Sequence, residues 1–177
     1  QILFYTNGLR VWNKNNLQMP NGFGLLGGAT QSTTQSALIV PKPGSNTLYY
    51  LFTVDMHAYP NGIRFSIVNM AANGGLGDVI VKNTLVYAPS TEKITAVPHA
   101  NGCDMWILSH NWATDEFYAH LLTSAGLSAP VISAVGFIHF GGGALNSAAL
   151  GYLKASPNGQ KLACAISLTC TKSLVCS

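Results

Sequence analysis

Charged side chains are what this sequence has least of: 9 Lys plus Arg and 6 Asp plus Glu in 177 residues, 8% of the chain, against roughly a quarter in an ordinary globular protein. The cations stand singly, from Arg10 to Lys172, with no basic stripe to track a phosphate backbone, which argues against nucleic acid as a partner. Long apolar runs are missing too. Residues 117–153 hold no Asp, Glu, Lys or Arg, but the longest apolar piece, 131–140, is bracketed by Pro130 and Gly141-Gly142-Gly143 and broken by Ser133, Gly136 and His139. A helix crossing a bilayer needs about 20 predominantly apolar residues in succession, so no membrane span is expected.

Metal and cofactor signatures are also lacking. Cys103, Cys164, Cys170 and Cys176 show no close pairing of the zinc-ribbon kind, and His57, His99, His110, His120 and His139 include no pair at helical ligand spacing. The three-glycine run at 141–143 is not followed by Lys-Ser/Thr, and neither Gly-x-Ser-x-Gly nor Ser-x-Asp-x-Gly-x-Thr-Trp occurs. No metal, no cofactor and no catalytic residue is therefore expected. Cys164 reads as a small core residue, while a disulfide through Cys170 or Cys176 stays open. Helical spacing is nowhere sustained. The chain opens at Gln1 inside a strand-like run, so any leader is expected to have been removed or to lie upstream.

What the sequence has in abundance is turn chemistry. Asn-Gly, the strongest short hairpin signal, occurs at Asn7-Gly8, Asn21-Gly22, Asn61-Gly62, Asn73-Gly74, Asn101-Gly102 and Asn158-Gly159. Ile2-Leu-Phe-Tyr-Thr, Asn7-Gly8 and Leu9-Arg-Val-Trp-Asn together spell a hairpin. Three segments then superimpose: Ala37-Leu-Ile-Val-Pro with Leu48-Tyr-Tyr-Leu-Phe-Thr, Thr95-Ala-Val-Pro with Met105-Trp-Ile-Leu-Ser, and Leu153-Lys-Ala-Ser-Pro with Leu162-Ala-Cys-Ala-Ile. Each is strand, turn, strand. Pro41, Pro98 and Pro157 mark a period just under sixty residues. Third strands are expected from Ile63 and from Phe117, and fourth strands over 79–86 and 131–138, with a short one near Leu25 for the first copy.

Four antiparallel strands per copy is the anatomy of a propeller blade. The expectation is an all-β chain, a β-propeller fragment of about three four-stranded antiparallel blades over 1–166: a partial blade 1 at 1–35, blade 2 at 36–88, blade 3 at 93–140, the start of blade 4 at 149–166, and an atypical tail at 167–177. Trp12, Trp106, Phe52, Phe65 and Tyr50 fall where blades would stack and are assigned to the core.

The runs Leu3-Phe-Tyr-Thr-Asn-Gly-Leu-Arg-Val-Trp-Asn, Gln35-Ser-Ala-Leu-Ile-Val-Pro-Lys-Pro-Gly, Ser90-Thr-Glu-Lys-Ile-Thr-Ala-Val-Pro-His-Ala-Asn-Gly and Gly151-Tyr-Leu-Lys-Ala-Ser-Pro-Asn-Gly-Gln-Lys-Leu-Ala resemble the N-terminal, WD-repeat-like propeller of large surface proteins of Bacteroidetes. The resemblance covers roughly 2–166. It implies an exported or cell-surface location through the type IX, gliding-associated route, and further blades and domains in the parent chain. Because the last eleven residues depart from the pattern, truncation or a reading-frame error is expected there.

Function is expected on the face shared by the loops that join second to third strands. Those loops gather Asp55, His57 and Tyr59 in one copy and His110, Trp112, Asp115 and Glu116 in the next. Aromatic faces beside carboxylates and amides suit a glycan or protein ligand, the rings covering sugar C–H surface while polar groups fix orientation. The competing reading makes Asp55 and Asp115 turn residues and the rings covers for blade edges. Three functions follow in order: a non-catalytic interaction module binding protein or glycan; a propeller-type glycoside hydrolase or lyase using paired loop carboxylates; and an architectural spacer.

Overall fold

The computed structural model describes residues 2–28, 33–143 and 146–167. The chain is all-β. Its strands are β1 (Phe4–Thr6), β2 (Val11–Asn13), β3 (Ala37–Pro41), β4 (Leu48–Val54), β5 (Ile63–Asn69), β6 (Asp78–Tyr87), β7 (Ser90–Pro98), β8 (Met105–Asn111), β9 (Glu116–Thr123), β10 (Gly126–Ala134), β11 (Leu153–Ala155) and β12 (Leu162–Cys164). They form four antiparallel sheets, each of sequential neighbours: β1-β2, β3-β4-β5-β6, β7-β8-β9-β10 and β11-β12. Short 3-10 turns at Asn73–Gly75 and Ser147–Ala149 are the helical pieces among the described residues, and none of the described helices is long and apolar enough to cross a membrane.

The repeat is visible in the ladders. Pro41 pairs with Tyr49 and Pro98 with Met105, and one further backbone bond closes each hairpin: Lys42 N to Leu48 O, His99 N to Asp104 O, Ser156 N to Lys161 O. Lys42, His99 and Ser156 are thus equivalent. By that register Pro157 lies two residues past the position of Pro41 and Pro98, within the turn, so the proline spacing overstates the second period. In the first unit, β2 is flanked on its other side by the extended segment around Leu25: Val11 N donates to Gly22 O, Leu25 N to Leu9 O and Gly27 N to Gly8 O. That segment plays the part expected of a short fourth strand without forming a regular one.

Strand alternation assigns the two faces of each sheet. Leu51 and Val68, with Ala37, pack on Phe4, Val11, Met19 and Leu25 of the first unit. One repeat later Ile107, Leu122 and Ile94 occupy the same ladder positions and pack on Val40, Tyr50 and Phe52 of the second. Each complete sheet therefore presents apolar side chains on both faces, which accounts for 48% hydrophobic residues with so few charges. Burying a ring such as Phe52 contributes about 2–3 kcal/mol. Tyr50 and Phe52 are core residues as expected, whereas Trp12 and Trp106 are only half-buried.

Three expectations need correction. Asn-Gly does not act here as a two-residue type I′ turn: only Asn73-Gly74 has positive φ at both residues, and it sits in a 3-10 turn. Instead the Asn carboxamides take backbone donors, Asn7 from Leu9 and Arg10, Asn101 from Cys103 and Asp104, Asn158 from Gln160, closing wider Asx-type turns. The fourth strand expected at 131–138 runs instead over Gly126–Ala134, because a tight turn at Ser124-Ala125 starts it early and an irregularity between Leu127 and Pro130 absorbs the offset. His139, expected at the end of that strand, lies beyond it. Cys170 and Cys176, like most of the atypical tail, fall outside the described residues; Cys103 and Cys164 are free thiols.

Candidate functional site

Successive sheets are stitched by bonds between residues one repeat apart. Asp78 at the start of β6 accepts from Asn21 N and Nδ2, and Asn83 bonds Leu26 N and Gly24 O. Lys82 Nζ reaches Phe23 O and lies 4.4 Å above the Phe23 ring. The densest stitching is at the other edge. Gln35 Oε1 accepts from Ile94 N and from Leu153 N, and Thr34 Oγ1 accepts from Gly151 N. The lead-in to β3 thus touches both of the sheets that follow it.

Here the sequence holds more than its motifs disclose. Glu92 and Lys93 are adjacent on β7, both fully buried, and alternation sends them to opposite faces. Glu92 Oε2 accepts from Thr34 N at 2.6 Å and Thr34 Oγ1 at 2.7 Å, and its Oε1 from His57 N at 2.9 Å. Lys93 Nζ donates to the carbonyls of Ala148, Ala149 and Leu150. Burial lowers its pKa to about 8 against the pull of Cys164 and Glu92. Each charge is met by backbone groups of a neighbouring connection, which is how a buried ion avoids an uncompensated desolvation cost. The available signal was a Glu-Lys pair inside an otherwise uncharged strand of a charge-poor chain.

The residues expected on the loop face separate into three groups. Asp55 is buried and uses both oxygens on its own turn, Oδ1 accepting from Met56 N and Oδ2 from Asn61 N. It has the competing role of a turn residue. His57 and Ala58 both adopt positive φ, 51° and 58°, an uncommon pair for side-chain-bearing residues. His57 N is tied to Glu92 and its carbonyl accepts from Asn146 Nδ2, so the strained turn is held by the polar network. Tyr59 projects from that turn, 40% exposed, its ring 6.0 Å from that of His57.

His110 is not in the loop: it belongs to β8 and is fully buried. Its Nδ1 lies 2.7 Å from Asn111 O, its ring meets Phe117 edge-on, and it stacks on His139 at 3.7 Å between centroids. Burial lowers the pKa of both imidazoles, that of His139 to about 3, with His110 and Lys93 adding to the effect at His139. The loop itself is residues 112–115. Trp112 is half-buried against Phe140, with ring centroids 5.9 Å apart. The carbonyls of Thr114 and Asp115 accept from His139 N and Val135 N, and Ala113 N donates to His139 O. Residues 135–139 thereby strap down the loop instead of extending β10. Glu116 begins β9 and accepts from Asn111 Nδ2 and the Tyr118 hydroxyl.

Two exposed or half-exposed aromatic positions, Tyr59 and the Trp112–Phe140 pair, therefore flank a buried polar centre. Among the described residues Thr33 Oγ1, His57 Nδ1, Ser90 Oγ, His110 Nε2 and His139 Nδ1 are buried there without a hydrogen-bond partner, and no group of three His, Cys, Asp or Glu could hold a metal ion. Comparison with family models, with curated proteins and with solved structures finds no match to this chain.

Proposed function

We propose that the chain is a section of a β-propeller, its second and third sheets complete blades, acting as a non-catalytic interaction module of an exported or cell-surface bacterial protein. What supports the propeller reading is the contact of Gln35 with both following sheets. In a linear solenoid each repeat meets only its neighbours, whereas sheets fanned about an axis bring all their first strands together. Support for the location, and for the type IX, gliding-associated route, comes from the sequence resemblance alone.

The ligand is a glycan or a protein held on the loop face, with Tyr59 and Trp112 as the contact surfaces. The single observation behind this choice is that these rings stand free of the polar centre while His57, Asp55 and Glu116 are occupied in building it. A screen of bacterial and host glycans and of surface proteins, followed by titration, tests it: Tyr59→Ala and Trp112→Ala each weaken the best ligand about tenfold with folding intact. A ligand indifferent to both changes, or none in the screen, overturns the reading.

A further inference from the structure

The six Asn-Gly pairs carry chemistry as well as turn geometry. An Asn followed by Gly can be attacked at its own side-chain Cγ by the Gly backbone nitrogen, because Gly has no Cβ to obstruct the approach. The N–Cγ bond forms, the Gly nitrogen gives up its proton, and the carboxamide nitrogen leaves as ammonia. Water then opens the cyclic imide to aspartate or isoaspartate. The net exchange is water in and ammonia out, with no oxidant or reductant. Two things are required: a Gly nitrogen free to move onto the side chain, and a carboxamide free to receive it.

The fold denies the first requirement to five of the pairs: Gly22, Gly62, Gly102 and Gly159 donate their N–H to Met19 O, Tyr59 O, His99 O and Ser156 O, and Gly8 donates to Thr6 Oγ1. The second fails at Asn7, Asn101 and Asn158, whose carboxamides are engaged in their own turns, and at Asn21, whose carboxamide is held by Asp78. Asn73-Gly74 differs on both counts. Among the described residues neither the Gly74 N–H nor the Asn73 carboxamide has a hydrogen-bond partner. Both residues are exposed, and a Cβ placed on Gly74 would meet nothing within 4 Å. We infer that Asn73 is a site of spontaneous deamidation, the one Asn-Gly pair that the folded chain leaves reactive. Its turn joins β5 to β6, and there Asn73 O accepts from Leu76 N. In isoaspartate that oxygen belongs to a free carboxylate and the main chain, longer by a methylene, runs through the side chain. The altered turn leads into Asp78, which holds Asn21 of the first unit, so the modification acts where two sheets are joined. The inference is independent of the ligand proposed for the loop face.

The test is peptide mapping by mass spectrometry of the purified 177-residue chain held at neutral pH, beside a sample held in urea. The urea sample gives the rate that sequence context alone sets for each pair, and the readout is the folded rate divided by the urea rate. For Asn73 that ratio should lie near unity, with the product eluting as separate isoaspartyl and aspartyl peptides. For every other pair it should be at least about tenfold lower, because one or two hydrogen bonds must be given up before the ring can close. Asn73→Gln, whose longer carboxamide cannot close the same ring, should lose the early product without raising conversion elsewhere. A second pair with a ratio matching that of Asn73 overturns the assignment. So does a folded chain in which Asn73 keeps its amide while the urea sample converts, or early product that persists in Asn73→Gln.

Discussion

Two imidazoles stacked at 3.7 Å inside the protein give the molecule its sharpest pH dependence. His139 and His110 are neutral when folded, and unfolding frees them to titrate near 6.5. Their folded pKa values are depressed, so the stability they carry is complete above that pH and lost as pH falls from 6.5 toward 3. Urea midpoints should drop by the equivalent of about 1–2 kcal/mol between pH 7 and pH 5, and His139→Phe should flatten that slope. The charged groups facing the pair are Lys93, Asp115 and Glu116. Glu92 makes a second residue-level prediction. Glu92→Ala strands Thr34 N, Thr34 Oγ1 and His57 N without an acceptor and should cost about 3–5 kcal/mol by denaturant titration; Glu92→Gln, which retains a carbonyl acceptor, should cost clearly less.

At the scale of strands, the ladder equivalence of Val68 and Leu122, both fully buried at sheet-to-sheet contacts, predicts matching responses. Leu122→Ala should cost about 2–5 kcal/mol and Val68→Ala less in proportion to the carbon removed, both measured by thermal denaturation. These inner strands are the legible part of the sequence: β4, β5, β8 and β9 are apolar, β-branched and aromatic runs between strong turn signals, and their register follows from Pro41 and Pro98. The outer strands are less legible. The start of β10 was hidden because Ser124-Ala125 makes a turn without Asn or Gly, and the 135–139 strap looked like strand because it bonds to a loop with strand-like residues. Of the loop face, Tyr59 and Trp112 are where spacing puts them. His110 is not, since a polar residue next to a turn reads as loop when its partner, His139, lies far along the chain. Glu92, Lys93 and Gln35 escaped notice because their partners are backbone groups, which no side-chain motif records.

For the molecule as a whole, stacked sheets behave as a one-dimensional array in which interior units have two stabilising neighbours and end units one. Amide hydrogen exchange should follow that order. The amides of β4, β5, β8 and β9 should exchange slowest, near the global unfolding rate, while those of β1-β2 and β11-β12, three-residue strands in two-stranded sheets, exchange orders of magnitude faster. Uniform protection from one end to the other would show that the half sheets are not frayed ends.

One side chain opposes that independence of the units. Because the Gln35 carboxamide accepts from Ile94 N and Leu153 N and donates back to Leu153 O, it works as a pivot pin, making the loss of one leaf felt by the other two. A Gln35→Leu chain keeps the volume and forfeits the pin, so its calorimetric melt should broaden or split into separate steps, and the ratio of van't Hoff to calorimetric enthalpy would report how much of the molecule's all-or-none character passes through a single amide.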